Sequence, residues 1–158
     1  EFTSPIVKDY DLVLEYKKLK DIAPSSVYVT PSFHDLRVWY GFIVVHQGAY
    51  KNGTFRFRIN IPDEYPKVPP TVQFLDRVYH PFVHNRTQEM YIGWAIKRWS
   101  PSKHSIYYVL KRLYKMFYIT DFTKYTVVFE LAKKLSQVGT VWLRLSFFVD
   151  FSSSSSSY

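Results

Sequence analysis

Hydrophobic and polar positions alternate with two different periods along this chain. From residue 8 to 23, Leu12, Tyr16, Leu19 and Ala23 recur on one face, and Lys17, Lys18 and Lys20 fall largely off it. That spacing predicts an amphipathic helix, which Pro24 and Ser25 stop. The period then shortens. Val27 to Thr30 is a short strand candidate bounded by Pro31, and Arg37 to His46 is rich in the aromatic and β-branched residues that suit a strand. A loop around Gln47 to Gly53 follows, with Asn52-Gly53 as its hairpin-turn signal. Over Thr54 to Ile61, Phe55, Phe57, Ile59 and Ile61 point one way and Arg56, Arg58 and Asn60 the other, the alternation of a half-buried strand. A proline-rich link from Pro62 to Pro70 leads to a fourth strand, Thr71 to Leu75.

Between Asp76 and Ser102 the pattern becomes irregular, and a connection that long is often functional or packed on itself. Its aromatic residues Tyr79, Phe82, Tyr91, Trp94 and Trp99 argue for packing. Helical spacing returns over Ser102 to Tyr118, with Ile106, Val109, Leu110, Leu113 and Phe117 as the apolar stripe and Ser102 placed to cap the start. Tyr125 to Gln137 is a further helix, aligned on Val128, Leu131, Ala132 and Leu135 and ended by Gly139; Thr140 to Asp150 reads as either helix or strand. No internal repeat is present. A helix, four strands, a long loop and then helices predict an α+β fold around an antiparallel meander. One domain is expected over residues 5–150, and the serine run that closes the chain reads as a flexible tail over 151–158. Glu1 and Phe2 read as a cloning remnant outside the fold.

Composition narrows the chemistry. Hydrophobic residues make up 47% of the 158 residues and aromatics 20%, too apolar for a disordered chain. The formal charge is +8, but the lysines and arginines are scattered and read as a solvated surface. The chain contains no cysteine, which rules out disulfides, thiolate zinc sites and thiolate catalysis and fits a cytosolic setting. No apolar run is long enough to span a membrane. Asn52-Gly53-Thr54 and Asn85-Arg86-Thr87 match the glycosylation pattern and read as chance matches.

Three other constellations invite a sharper reading. His80, His84 and His104 lack a carboxylate in any known metal-binding pattern and read as structural or exposed, so no metal and no cofactor is expected. Lys97, Arg98, Lys103, Lys111, Arg112 and Lys115 are interleaved with aromatics, as in nucleic-acid grooves. Those aromatics fall at helical core spacing, so no nucleic-acid partner is expected. Trp39, Trp94, Trp99 and Trp142 are mainly core candidates. No Ser-His-Asp arrangement and no phosphate-binding glycine loop is present.

One series is more specific than any of these. Gly48-Ala49-Tyr50-Lys51-Asn52-Gly53-Thr54-Phe55-Arg56-Phe57 is followed by Ile61-Pro62-Asp63-Glu64-Tyr65-Pro66, by Pro69-Pro70-Thr71-Val72-Gln73-Phe74, by His80-Pro81 and by Trp99-Ser100-Pro101. In order and spacing the series resembles the ubiquitin-conjugating enzyme family, over roughly residues 9 to 137. The prolines also have a local role: Tyr65-Pro66 and Pro69-Pro70 stiffen the connector by fixing φ.

The family's chemistry needs a cysteine about eight residues before the tryptophan, where a thiolate takes ubiquitin as a thioester. Here Tyr91 stands at that place, between Met90 and Ile92. The family's His-Pro-Asn, whose asparagine supports the developing oxyanion, is His80-Pro81-Phe82. Two losses together resemble the inactive variants of the family, and among them the fused toes group. Val38-Trp39-Tyr40-Gly41-Phe42-Ile43 and His80-Pro81-Phe82-Val83 carry that closer likeness. Ser100-Pro101 and Pro69-Pro70 instead keep the form of the active enzymes.

The resemblance implies a cytoplasmic protein-interaction adaptor, peripheral to endosomal membranes and without insertion into them. It would join Hook coiled-coil proteins and FHIP in linking vesicles to dynein. The alternative it implies is a non-catalytic cofactor that holds ubiquitin for an active conjugating enzyme. Family resemblance also marks Tyr65, Pro66, Trp99, Ser100 and Pro101 as partner-binding residues. Tyr91 and Trp94 are expected to fill the former catalytic groove, and Phe147-Phe148-Val149 to offer docking surface if exposed.

Overall fold

A helix, α1 (Pro5–Ile22), is followed by four strands, β1 (Val27–Pro31), β2 (Val38–Val44), β3 (Thr54–Asn60) and β4 (Thr71–Phe74). A 3₁₀ turn at Ile92–Trp94 and a second helix, α2 (Ile106–Met116), complete the order. The structure, a computed structural model, describes residues 5–121 except 95 and 97, and within these not the side chains of residues 5–9 and Trp94. The helix expected over 125–137, the apolar stretch 140–150 with Trp142 and Phe147-Phe148-Val149, and the serine tail lie outside the described residues.

The strands form one sheet in the order β1-β2-β3-β4, all antiparallel. This is the meander expected from the alternation. The register places Trp39 opposite Ile59, Gly41 opposite Phe57 and Ile59 opposite Val72. One face therefore collects Val27, Trp39, Ile43, Phe57, Ile59, Val72 and Phe74, all buried. Gly41 is fixed by this packing: a Cβ there would come within 2.6 Å of the Phe57 ring and onto the Tyr28 carbonyl. The opposite face carries Tyr28, Tyr40 and Phe42, all exposed, with Tyr28 stacked on Phe42 at 4.8 Å.

The β2–β3 hairpin forms where Asn52-Gly53 predicts it, by a different route. Left-handed backbone falls at Gly48 (φ 82°) and Asn52 (φ 66°), not at Gly53. Bonds from Lys51 N–H to Gly48 O and from Asn52 N–H to Val45 O make it a wider loop than a two-residue turn.

Leu12 and Leu19 of α1 are buried, and Tyr16 meets the edge of Trp39 at 5.6 Å. From α2, Ile106, Val109, Leu110, Leu113 and Met116 fill the other side of the core. Each such buried side chain contributes about 1.5–3 kcal/mol of transfer free energy. The apolar stripe matches the periodicity, but the expected start does not. α2 begins at Ile106 because Lys103 and His104 donate to Ser100 O in a separate turn. Ser102 caps nothing there, and its hydroxyl meets that of Ser100 at 3.1 Å.

Candidate functional site

The two positions that set this chain apart from its enzyme-like framework meet in space. Residues 82–91 fold back as a small hairpin, with a bridge between Val83 and Met90. His84 N–H donates to Glu89 O at 2.9 Å, and Tyr91 N–H donates to Phe82 O at 2.7 Å. Phe82 and Tyr91, seventeen and eight residues before Trp99 in the chain, are thus hydrogen-bonded neighbours.

Their side chains part. Phe82 is fully buried and lies 5.2 Å from the His80 ring. Tyr91 is 40% exposed. A Cβ on Gly93 would fall 2.5 Å from its hydroxyl, so the tyrosine ring lies over the Gly93 backbone. Of these two aromatics Phe82 fills the interior, while the Trp94 side chain, expected with Tyr91 in the groove, lies outside the described residues.

His80 organises the site from below. It is buried, its Nδ1 accepts from Phe82 N–H at 3.0 Å, and its Nε2 faces Met116 O at 3.0 Å. The first bond needs an unprotonated Nδ1, so the proton sits on Nε2 and is donated to Met116. Burial lowers the imidazole pKa to about 4, partly opposed by the bond to Met116. His80 is therefore a neutral brace between the hairpin and the end of α2. His84, in contrast, receives Thr87 N–H at 3.2 Å on the surface, and His104 receives Ser100 N–H at 2.9 Å. The three histidines are held apart in three separate local roles. The Phe82 and Tyr91 N–H groups are both engaged in internal bonds.

A second cluster joins the residues carried over as partner-binding. The Tyr65 hydroxyl donates to Glu15 Oε2 at 2.8 Å, and Ile106 N–H donates to Glu15 Oε1 at 2.7 Å. One carboxylate of α1 thereby anchors the connector and caps α2 at an otherwise orphaned donor. Burial, and then the negative charge of Glu15, push the Tyr65 phenol up. Trp99 Nε1–H donates to Pro66 O at 2.7 Å, and the Trp99 ring lies 5.3 Å from that of His104. The structure thus brings Tyr65, Pro66, Trp99 and Ser100 to one end of the molecule. Their polar groups are spent on internal bonds, whereas Pro66 and Pro101 are exposed. Glu15 escaped the sequence reading. Its signal was a carboxylate standing beside Leu12, Tyr16 and Leu19 on the apolar side of α1.

On the outer face of the sheet, Arg56 forms a two-pronged ion pair with Asp76. The guanidinium holds the Asp76 carboxyl below the usual carboxylate range. Among the described residues no group of three His, Asp or Glu side chains is placed to hold a metal ion. No described helix is long and apolar enough to cross a membrane.

This framework can be set beside known proteins. The sequence profile of the ubiquitin-conjugating enzyme matches residues 11–137. The chain belongs to the ubiquitin-conjugating enzyme family. The chain is 33% identical over 128 residues to the protein crossbronx homolog of Culex quinquefasciatus, covering 80% of this chain and 54% of that protein. It is 33% identical over 118 residues to the protein AKTIP homolog of Nematostella vectensis, covering 74% and 40%. To the AKT-interacting protein of Rattus norvegicus it is 32% identical over 120 residues, covering 75% and 41%. The chain thus spans about half the length of these curated relatives. The solved structure of human ubiquitin-conjugating enzyme E2 G1 superimposes with a TM-score of 0.63 at 21% identity, covering 70% of this chain and 93% of that one. The ubiquitin-conjugating fold expected from the motif series is therefore the fold of this domain. The expected relationship to the fused toes group is matched by relatives named crossbronx and AKT-interacting protein.

Proposed function

We propose that this domain is a catalytically inactive member of its family and works as a protein-interaction adaptor. The observation that carries the reading is the absence of any cysteine from the chain. Thioester transfer needs a thiolate nucleophile, and the tyrosine at the corresponding place lies over Gly93 with its main-chain N–H bonded to Phe82. The buried Phe82 supports the same reading, because a phenyl ring cannot donate to an oxyanion. What remains is a well-packed framework, whose use is to present surface.

The finer reading follows the fused toes likeness. In it the domain contacts a Hook-type coiled coil and an FHIP-type partner on the cytoplasmic side of endosomal vesicles, for dynein-linked transport. The end of the molecule formed by Tyr65, Pro66, Trp99, Ser100 and Pro101 is the surface proposed for partner contact. Affinity purification of the tagged chain from its native cells, followed by mass spectrometry, tests this. A long coiled-coil protein recovered in stoichiometric amount is the expected result, and its consistent absence would remove the Hook-type reading. A parallel NMR titration with ubiquitin separates the alternative. Saturable shifts at micromolar to low millimolar concentration would make the domain a ubiquitin-holding cofactor instead.

A further inference from the structure

Among the described residues no strand pairs with the outer side of β1, which has the features of a binding edge. Val44 N–H donates to Ser26 O at 2.9 Å, and Ser32 N–H donates to Val38 O at 2.7 Å. With the pairing of Tyr28 to Phe42 and Thr30 to Tyr40, these bonds fix the alternation: residues 26, 28, 30 and 32 bond to β2. In an antiparallel ladder the intervening residues turn their backbone groups the other way. Val29 N–H, Val29 C=O and Val27 C=O therefore point away from the sheet. Val27 N–H is occupied by Pro24 O at 2.9 Å, and Pro31 has no N–H to offer. The edge is short and bounded at both ends, with Val29 at its centre.

Beside this edge lies a hollow of about 280 Å³ between the end of α1 and β1, lined by Tyr16, Leu19, Lys20, Ala23, Val27 and Val29 among others. Its walls are mostly apolar and its rim carries Lys20, whose Nζ lies 5.4 Å from the Tyr16 ring centre. Lys17 and Lys18 are exposed on the same helix, so three lysines stand against Asp21 over residues 17–21. A strand laid against β1 sits about 4.8 Å away and sends alternate side chains to opposite faces. The residue paired with Val29 would share its face and direct its side chain toward the hollow. Its neighbours would lie on the outer face, beside Tyr28.

We propose that the β1 edge takes up an extended segment of a partner protein, an acidic stretch with one aliphatic side chain that enters the α1–β1 hollow. Main-chain bonds to Val29 supply register, the hollow selects the aliphatic residue, and the α1 lysines select acidic flanks. This surface rests on the adaptor reading above and adds a contact site to the one proposed at Tyr65, Pro66, Trp99, Ser100 and Pro101.

The probe is the synthetic peptide acetyl-Glu-Val-Leu-Val-Glu-amide, titrated into the full chain with amide exchange followed by NMR. At saturation, exchange of the Val29 amide slows by about tenfold or more. Methylating the leucine nitrogen of the peptide, which removes the donor to Val29 C=O, weakens binding by about tenfold. Lys20→Glu weakens it several-fold, and a peptide with lysine in place of both glutamates recovers the loss. Val29→Pro removes the edge donor without touching a bond to β2, and it abolishes binding. The proposal is overturned if the N-methyl peptide binds equally well, if shifts map elsewhere, or if nothing binds by about 1 mM. A concentration-dependent dimer that protects Val29 without peptide gives the edge to a second copy and also overturns it. Retention of native partners by the folded Val29→Pro chain would sink the edge while leaving the adaptor reading standing.

Discussion

His80 shows how a single residue can belong to a family motif and yet do purely structural work. Its two ring nitrogens join the Phe82 main chain to Met116, and burial lowers its pKa from 6.5 to about 4. Protonation therefore favours the unfolded chain. The stability tied to a neutral His80 is fully present above pH 6.5, is lost as pH falls toward 4, and amounts to about 3 kcal/mol over that window. Urea midpoints measured from pH 7.5 to 4 should fall along this curve. His80→Leu should flatten the histidine part of that slope while lowering stability at neutral pH by about 1–3 kcal/mol, because Phe82 N–H and Met116 O lose their partner. Phe82 and Tyr91 were legible as substitutions but not as neighbours. Their pairing depends on a hairpin whose sequence lacks a regular period.

Among the elements, Glu15 of α1 is the joint that holds the layers in register. It receives Ile106 N–H from 91 residues away and the Tyr65 hydroxyl from 50. Glu15→Ala should cost about 2–3 kcal/mol, since a half-buried phenol and a helix-terminal N–H lose a charged acceptor together. Tyr65→Phe should cost about 1 kcal/mol, and the double variant should cost less than the sum; thermal or urea unfolding of the three variants checks this. Gly41→Ala should cost about 1–3 kcal/mol by forcing the Phe57 ring and the Tyr28 carbonyl to shift, read in the same assay. The periods of the strands and of α2 were plain in the sequence because each buries one face. The start of α2 was not, since Ser102 has the right chemistry for a cap but the cap comes from a different helix. Nor could the long loop be read: its aromatics split, with Phe82 buried and Tyr79 and Tyr91 about half exposed.

At the scale of the whole molecule, the family framework persists without the family's nucleophile. The four-stranded meander, the connector from Pro62 to Pro70 and the Trp99 anchor are all formed, and Phe82 is packed into the same core as the strands. The architecture could be read from a series of prolines and aromatics because those residues act locally. Partner identity could not, because it depends on exposed surface that the buried pattern leaves free to vary.

A ubiquitin-charging assay tests the proposed inactivity of this domain most directly. The purified chain is incubated with activating enzyme, ATP and ubiquitin, and the products are resolved with and without thiol and after brief alkali. No ubiquitin adduct of the chain is expected under any of these conditions, while an active conjugating enzyme run in parallel is charged. An ATP-dependent adduct that resists thiol and yields to alkali would be an ester through a hydroxyl such as that of Tyr91, and would contradict the claim that this domain binds without catalysing.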